Sequence, residues 1–460
     1  MQTLTVNDIL RAVKGEIISK KTDTAAIEFR GVVTDSRKAG EGVLFVPLIG
    51  EKEDGHNYIK SALEHGASAV LTQKNTDRAD GTVIKVADTR KALGDIARYY
   101  KKKYPVPSVA VTGSVGKTTT RDLTYAVLNE HYNAHKTQGN FNNDIGLPLT
   151  IFGIEKKHEM AVLEMGMNHF GEISYLASIV CPEAAIITNI GMSHIENLGS
   201  QEGIFKAKME ITENFTSENT LIVNGDDKFL KTVCGDYEVI KYGLGQSNDV
   251  YAKNIENNGM NGMKFTVSCF GEEFEAEITR PGVHNVYNAL AAVCAGKHFG
   301  VSTQECIKGL KNCVYTEQRL EITEHNGIEL INDCYNSSPD SLRAALKVQQ
   351  NSEKSRKIAI LGDILELGSF AAKAHYELGT DVARCGIDML VCAGENAAEL
   401  ARGAMEAGMA NIRVYTSSEE IARDADVLVH SGDSVLVKAS HSMQFNKIAE
   451  AIESLPPEEL

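Results

Sequence analysis

The feature that most constrains this chain is residues 107–120, PSVAVTGSVGKTTT. An apolar run at 109–111 stops at Thr112-Gly113, and Gly116-Lys117-Thr118 then opens a stretch with helical spacing. Strand, glycine loop and helix in that order turn successive backbone N–H groups toward one point, where the helix start adds a partial positive charge and Lys117 a full one. Such a point holds phosphate. The general phosphate loop carries its first glycine five residues before its second, but Val111 stands there, so this is a shorter GxxGKT form. Gly113, Ser114, Val115, Gly116, Lys117, Thr118 and Thr119 are therefore expected to bind a nucleoside triphosphate, with Thr118 in the place of the usual Mg²⁺ ligand. The alternative, a glycine-rich turn with a chance lysine, leaves the preceding strand and the triple threonine unexplained.

A chain of 460 residues is too long for a single core, and domains of about 100 to 200 residues suggest two to four units. The division adopted is 1–104, 105–317 and 318–460, the first boundary falling where a lysine-ended helix meets Pro105 and Pro107. With 43% hydrophobic and 24% charged residues the chain can bury large cores. No apolar run approaches the roughly 18 residues that span a bilayer. The N-terminus, MQTLTVNDILRAVKGE, lacks the apolar core of a signal peptide, so a cytoplasmic protein without membrane insertion is expected. A net charge of −15 argues against nucleic acid or an anionic membrane as partner, since both call for a basic face. Nine cysteines without a CxxC pair read as buried free thiols.

Helical patterns at 6–13, 58–65 and 90–103 alternate with strand-like pieces at 31–34, 43–47 and 69–72. From 107 to about 316, short apolar runs at 161–164, 184–189 and 221–224 alternate with helices, the pattern of a parallel sheet covered on both faces. Ligands of such sheets gather at the carboxyl ends of the strands, where Glu164, Thr188, Asn189 and Asn224 fall. Residues 250–278 switch to period-two alternation, an antiparallel section, before a helix at 284–298. Runs at 330–332, 358–361, 389–393 and 435–438, with helices at 341–349 and 371–384, make a further α/β unit.

Glu164 sets a carboxylate at a strand end beside the glycine loop, the oxygen donor that Mg²⁺ takes while leaving room for phosphates. A solvated loop glutamate is the plain alternative. His194, in GMSHIE past the next strand, is a candidate second ligand or phosphate contact, although a lone histidine is more often structural. Residues 137–148, TQGNFNNDIGLP, offer asparagine amides that either bind a polar ligand or cap turns. Lys206 and Lys208 lie on a helix expected over 202–215 and read by themselves as its solvated face. His284, Asn285 and Asn288 either line a base pocket or cap their helix.

Together these stretches resemble the Mur ligases, the ATP-dependent amide-forming family of peptidoglycan precursor synthesis. Residues 112–119 match its ATP loop, Asn140, Asn142, Asn143 and Gly146 its asparagine motif, Glu164 its metal glutamate, and Ser193-His194 its metal histidine. Ala207-Lys208 with Ile211 is similar to the segment whose lysine is carbamylated in many members, and residues 224–227 and 282–288 also fit. The resemblance covers all three proposed units. It implies an α/β chain with a UDP-binding N-terminal domain, a central ATP-binding domain on a mostly parallel sheet, and a Rossmann-like C-terminal domain. ATP and Mg²⁺ are the implied cofactors. Lys117, Glu164, His194 and Lys208 are then catalytic, with Thr118, Glu164, His194 and a carbamylated Lys208 on the metal. Asn285, Asn288, Arg319 and Asp333 join the loop on the nucleotide, and Ser36, Arg37, Asn140 and Asn143 fall on a UDP-linked substrate.

Within the family, Asp333-Cys334-Tyr335-Asn336 with Pro339 and Ser341, then Leu361-Gly362-Asp363 with Glu366-Leu367-Gly368, is similar to members that join D-Ala-D-Ala to UDP-MurNAc-tripeptide. Asn336 is then the contact to the dipeptide. The Asp-Asn-Pro motif usual in members that add the diamino acid is absent from the sequence. Some positions depart from the family pattern. Gln318 stands for a glycine, Ser338 for an asparagine, and Lys438-Ala439-Ser440-His441 for Lys-Gly-Ser-Arg. The last change replaces a fixed cation by a ring largely neutral at pH 7, which bears on amino-substrate choice. The rival readings are addition of a diamino acid, addition of glutamate to folate, and a nucleotide-binding paralogue that has lost ligation. A monomer is expected, with domains that open and close around their ligands.

Overall fold

Five residues without polar alternation, Ser108–Thr112, can be buried on both faces only inside a parallel sheet. The computed structural model, which describes residues 1–20, 23–75 and 80–457, places this strand inside a nine-stranded sheet, between Met160–Glu164 and Ala184–Ile187 and parallel to both. Ala134–Lys136 lies beyond the first neighbour; Thr220–Asn224, Glu238–Gly243 and Val250–Asn257 follow beyond the second, all parallel. The period-two section is the antiparallel edge, Met263–Cys269 and Glu272–Ile278. Alternate residues of the central strand feed two cores. Val109 and Val111 pack with the helix Val283–His298, and Ala110 faces the opposite layer. The chain first lays the edge strand Ala134–Lys136, returns with Met160–Glu164 beside Ser108–Thr112 and then builds on the other side, which leaves a crevice at the strand's carboxyl end.

Ahead of this sheet lies a five-stranded one in the order Glu16–Ser19, Val83–Lys85, Ala69–Thr72, Val43–Phe45, Gly31–Val33, parallel except at Glu16–Ser19. The helix Thr89–Lys103 fastens it to the central unit: Arg98 Nη2 donates to Ser178 Oγ on the helix Glu172–Val180 at 2.8 Å, and Lys101 Nζ to the Val106 carbonyl in the linker at 2.6 Å. Gly94 permits the approach, because a Cβ there would lie 2.0 Å from the Tyr175 hydroxyl. The C-terminal sheet has six strands, in the order Glu321–His325, Ile328–Asn332, Asp433–Lys438, Arg356–Gly362, Met389–Ala393, Ile412–Tyr415, antiparallel only at the first pair.

The helices Val6–Val13 and Ala371–Arg384 lie where the spacing puts them. The one expected over 202–215 does not run so far. It spans Gln201–Met209 and tightens into the 3₁₀ turn Glu210–Thr212, where the Glu210 carboxylate accepts from the backbone N–H groups of Gly171 and Ser174 and so caps a neighbouring helix. The two lysines also separate: Lys206 is exposed, whereas Lys208 is buried. The cysteines are unpaired as expected, but Cys181 and Cys234 are exposed rather than buried. Gln318 and Leu320, in the connector to the C-terminal sheet, have φ of +57° and +53°, so the position where the resemblance expects glycine does take the left-handed backbone that glycine favours.

Candidate active site

Two glycines shape the phosphate loop. A Cβ at Gly113 would lie 1.8 Å from Thr188 Oγ1, and one at Gly116, where φ is +84°, would lie 2.7 Å from Asn288 Oδ1. The loop is then tied down at its flank. Ser114 N–H donates to the Asn189 carbonyl and Val115 N–H to Asn189 Oδ1, both at 3.0 Å, while Thr188 Oγ1 donates to the Val115 carbonyl at 2.6 Å. The N–H groups that open the helix Lys117–Asn129 are left to face a ligand. Thr188 and Asn189 thus buttress the loop. Asn224 does not join them: its side chain accepts from Asp226 N–H, and it lies outside the cavity lining.

The loop floors a cavity of about 450 Å³, walled on one side by the central unit and on the other by the C-terminal one. Glu164, His194, Asn285, Asn288, Arg319, Asp333 and Asn336, scattered through the sequence, all line it. Glu164 is buried. Its Oε1 accepts from Asn142 Nδ2 at 2.8 Å and Thr118 Oγ1 at 3.3 Å, and its Oε2 from Arg121 Nη1 at 3.2 Å. Arg121 is not among the expected site residues, although the sequence carries a signal for it: four residues after Lys117, it falls on the same helix face one turn on. The asparagine motif divides residue by residue. Asn142 holds Glu164, Asn143 Oδ1 accepts from Gly146 N–H at 2.8 Å as a turn cap, and all three of Asn140, Asn142 and Asn143 line the cavity.

Lys117 Nζ donates to the Gly113 carbonyl at 2.8 Å, and burial lowers its pKa against the pull of Glu164. Lys208 is buried behind the cavity rather than lining it, and burial, then the neighbouring Lys117 charge, pushes its amine well below the ordinary lysine value. His194 Nδ1 lies 2.5 Å from Glu366 Oε2 of the C-terminal unit, at ion-pair distance but without hydrogen-bond alignment. That ring holds the Glu366 carboxyl below its usual range in spite of burial. Nothing in the sequence distinguished Glu366 as a partner for His194.

On the facing helix, Asn285 Nδ2 donates to the Pro281 carbonyl at 2.7 Å, Asn288 Nδ2 to Asn285 Oδ1 at 3.0 Å, and Thr120 Oγ1 to Asn288 Oδ1 at 3.0 Å. Asn285 and Asn288 line the cavity, but neither caps the helix, whose first N–H groups receive no side-chain acceptor. Burial lowers the pKa of His284 beside them to about 4. The unfolded chain takes up that proton first, so the stability at stake is present above pH 6.5 and is lost as pH falls toward 4. At roughly 1.4 kcal/mol per unit this is about 3 kcal/mol as a ceiling. Urea melts of His284→Gln at pH 7 and 4.5 should show a shallower loss than the parent chain; an equal loss would remove His284 as the cause.

In the C-terminal unit the Arg319 guanidinium lies 3.9 Å from the Tyr335 ring centre. Asp333 is occupied more fully than a nucleotide contact alone implies: Oδ1 accepts from Leu320 N–H at 2.9 Å and Oδ2 from Lys438 Nζ at 2.6 Å, which makes it a strut as well as a cavity wall. Asn336 Oδ1 accepts from Ser337 N–H, leaving its amide donors free of that bond. Ala439 is buried under Gly362, and His441 is exposed at the cavity, its ring 5.5 Å from that of Tyr335. Ser36 and Arg37 lie elsewhere, in the 3₁₀ turn Ser36–Lys38, with Arg37 paired to Asp35 at 2.8 Å and neither in the cavity lining.

Around the cavity, Ser114 Oγ, Arg319 Nε and Ser337 Oγ are buried without a partner, the kind of polar group that a phosphate-bearing ligand satisfies. For a metal, no three His, Cys, Asp or Glu side chains converge among the described residues. The adjacent oxygens of Thr118 and Glu164 fit instead an ion such as Mg²⁺, which takes few protein ligands and fills its shell with water and phosphate.

Comparison with known proteins accounts for all three units. Residues 28–101 match the model "Mur ligase family, catalytic domain", 111–296 "Mur ligase middle domain", and 318–441 "Mur ligase, glutamate ligase domain". The UDP-N-acetylmuramoyl-tripeptide--D-alanyl-D-alanine ligase of Bacillus subtilis (strain 168) is 38% identical, over 98% of this chain and 99% of that protein. The chain belongs to the Mur ligase family. Among solved Mur ligases, MurF from Acinetobacter baumannii superposes with a TM-score of 0.92 at 29% identity, covering 99% of this chain and 100% of that one. MurF from Thermotoga maritima in complex with ADP gives 0.83 at 28% identity, over 92% and 97%. In this Mur ligase the phosphate loop, Glu164 and Asn288 fall in the middle-domain match, and Arg319, Asp333 and Lys438 in the glutamate-ligase match. The cavity is built where the two meet.

Proposed function

We propose that this protein is the ATP-dependent, ADP-forming ligase that joins D-Ala-D-Ala to UDP-MurNAc-tripeptide in the last cytoplasmic step of peptidoglycan precursor synthesis. The observation that carries the reading is the single cavity in which the loop of one unit faces Arg319, Asn336 and His441 of another, in a chain related over its whole length to ligases of that name. A carboxylate resists an amine because oxide is a poor leaving group. Its oxygen therefore attacks the γ-phosphorus as the bond to the bridging β–γ oxygen breaks, giving an acyl phosphate and ADP. The dipeptide amine then attacks the acyl carbon, and the tetrahedral intermediate expels phosphate as the nitrogen loses a proton.

For the first step the chain supplies position and positive charge: Lys117 and the helix-opening N–H groups at the phosphates, and Arg319 facing them across the cavity. Asn285 and Asn288 border the base. Thr118 and Glu164 would hold one Mg²⁺, His194 would contact a second, and a carbamate on Lys208 would be a further oxygen donor facing the metal. When bound, these ions neutralise charge on the phosphate and acyl oxygens. The lowered pKa of Lys208 supports the carbamate, because only a neutral amine attacks CO₂. Asn140 and Asn143 are assigned to the UDP-linked substrate, with Ser36 and Arg37 on the first unit toward its nucleotide end, and Asn336 to the dipeptide. Residues 1–104, 105–317 and 318–460 divide these tasks in one monomer. Residues 318–460 approach on closure and keep water from the acyl phosphate.

Among the described residues no helix is long and apolar enough to cross a membrane. The test is phosphate release with ATP, Mg²⁺, UDP-MurNAc-tripeptide and D-Ala-D-Ala, omitting each in turn. The expected result is release requiring all four and a product heavier by one dipeptide unit. Activity with a diamino acid or glutamate alone, or no release from folded protein, would replace the assignment.

A further inference from the structure

Arg121 is a fully buried guanidinium, and its five N–H donors span three parts of the chain. Nε and Nη2 donate to Asp122 Oδ1 at 3.2 and 2.9 Å, Nη1 to the Gly139 carbonyl at 2.8 Å and to Glu164 Oε2 at 3.2 Å, and Nη2 also to Thr316 Oγ1 at 2.6 Å. Asp122 closes the circuit. Its Oδ2 accepts from both the backbone N–H and the hydroxyl of Thr316 at 2.9 Å, and its Oδ1 from Lys136 Nζ at 2.7 Å. Two cations and two carboxylates balance, which is the condition under which such charges persist in a low-dielectric interior. Thr316 belongs to the connector between the helix Thr303–Lys311 and the strand Glu321–His325, and it lines no part of the cavity.

We infer that Arg121 is a positioning residue that joins this connector to Glu164, so that the path of the chain into the C-terminal unit sets the orientation of the carboxylate beside the phosphate loop. The hydroxyl of Thr316 both donates to Asp122 and accepts from Arg121. Its removal leaves the planar fork short of one anchor, and the same rigid group can no longer hold Glu164 Oε2 at a fixed place. Coupling of this kind is reciprocal: whatever binds at Glu164 also restrains the connector.

The inference rests on the reading of Glu164 as a divalent-metal ligand. The test therefore measures Mn²⁺ binding by electron paramagnetic resonance, on the full chain with a non-hydrolysable ATP analogue, without turnover. Thr316→Val touches neither ligand but removes both hydrogen bonds of the hydroxyl, and the part passed on to Glu164 should weaken Mn²⁺ binding about three- to tenfold, the size of one hydrogen bond. Thr316→Ser should restore it. Arg121→Lys, which keeps the charge and loses the fork, should weaken it at least as much. A Thr316→Val protein that binds Mn²⁺ like the parent, or a Thr316→Ser protein no better than Thr316→Val, overturns the coupling while leaving the metal site standing. Failure of the parent chain to bind Mn²⁺ overturns the metal reading and the inference with it.

Discussion

Lys117→Met should fold normally and release phosphate about a thousandfold more slowly than the parent. Methionine keeps the length of the side chain, and the bonds lost in the free protein are those to the Gly113 carbonyl at 2.8 Å and, more weakly, to the Ser114 carbonyl at 3.5 Å. The loop itself is fixed by other residues, Thr188 and Asn189 among them, so its shape should survive. What disappears is the full charge next to the developing negative charge of phosphoryl transfer. In a water-excluded site one such donor is worth about two to three orders of magnitude, and a charged finger more. Single-turnover phosphate release read beside the melting temperature separates these effects. Near-parental turnover from a folded Lys117→Met protein would mean that the loop does not cradle the transferred phosphate.

Lys208→Met should lose about a hundred- to a thousandfold in activity and yet be at least as stable as the parent. The amine is buried, and burial together with Lys117 drives its pKa far down, so the folded parent, while the amine is free of carbamate, bears a desolvation cost that the unfolded chain does not. The sign follows from linkage. The unfolded lysine is protonated up to about pH 10.4 and the folded one only at much lower pH. The penalty therefore applies at neutral pH and shrinks as pH rises toward 10. An apolar side chain of similar length escapes it, and the stability gap between variant and parent should narrow with rising pH. Denaturant melts at pH 7 and 9, with ¹³C-bicarbonate labelling for a carbamate resonance in the parent alone, test both halves. A variant that is active, or clearly less stable across that range, would make the amine structural rather than catalytic.

Residues close together along the chain were the legible ones. Ser108–Thr112, the loop and the helix after it follow from neighbours in sequence, because hydrophobic period, glycine and helix start are local properties. The antiparallel edge at 250–278 was readable for the same reason, through its alternation. The asparagine motif was legible as a motif but not by residue, since Asn142 and Asn143 differ only in which one the fold points at Glu164. Resemblance carried Lys208 where periodicity alone would have left it on a solvated face, next to an exposed Lys206.

Local order along the chain was enough for the three α/β units and for the strand, glycine loop and helix at 108–129, and the family motifs were enough for the class of reaction. Only the tertiary structure decided what stands against what. It set Arg121 between Glu164 and Thr316, Glu366 against His194, and Asp333 under Lys438, and it moved Ser36 and Arg37 away from the cavity. The physical reason is that these pairings join residues far apart along the chain, by up to 195 positions, and one of them, His194 with Glu366, crosses from the central unit to the C-terminal one. Their partners are chosen by burial and charge balance in the assembled interior, which no local pattern records.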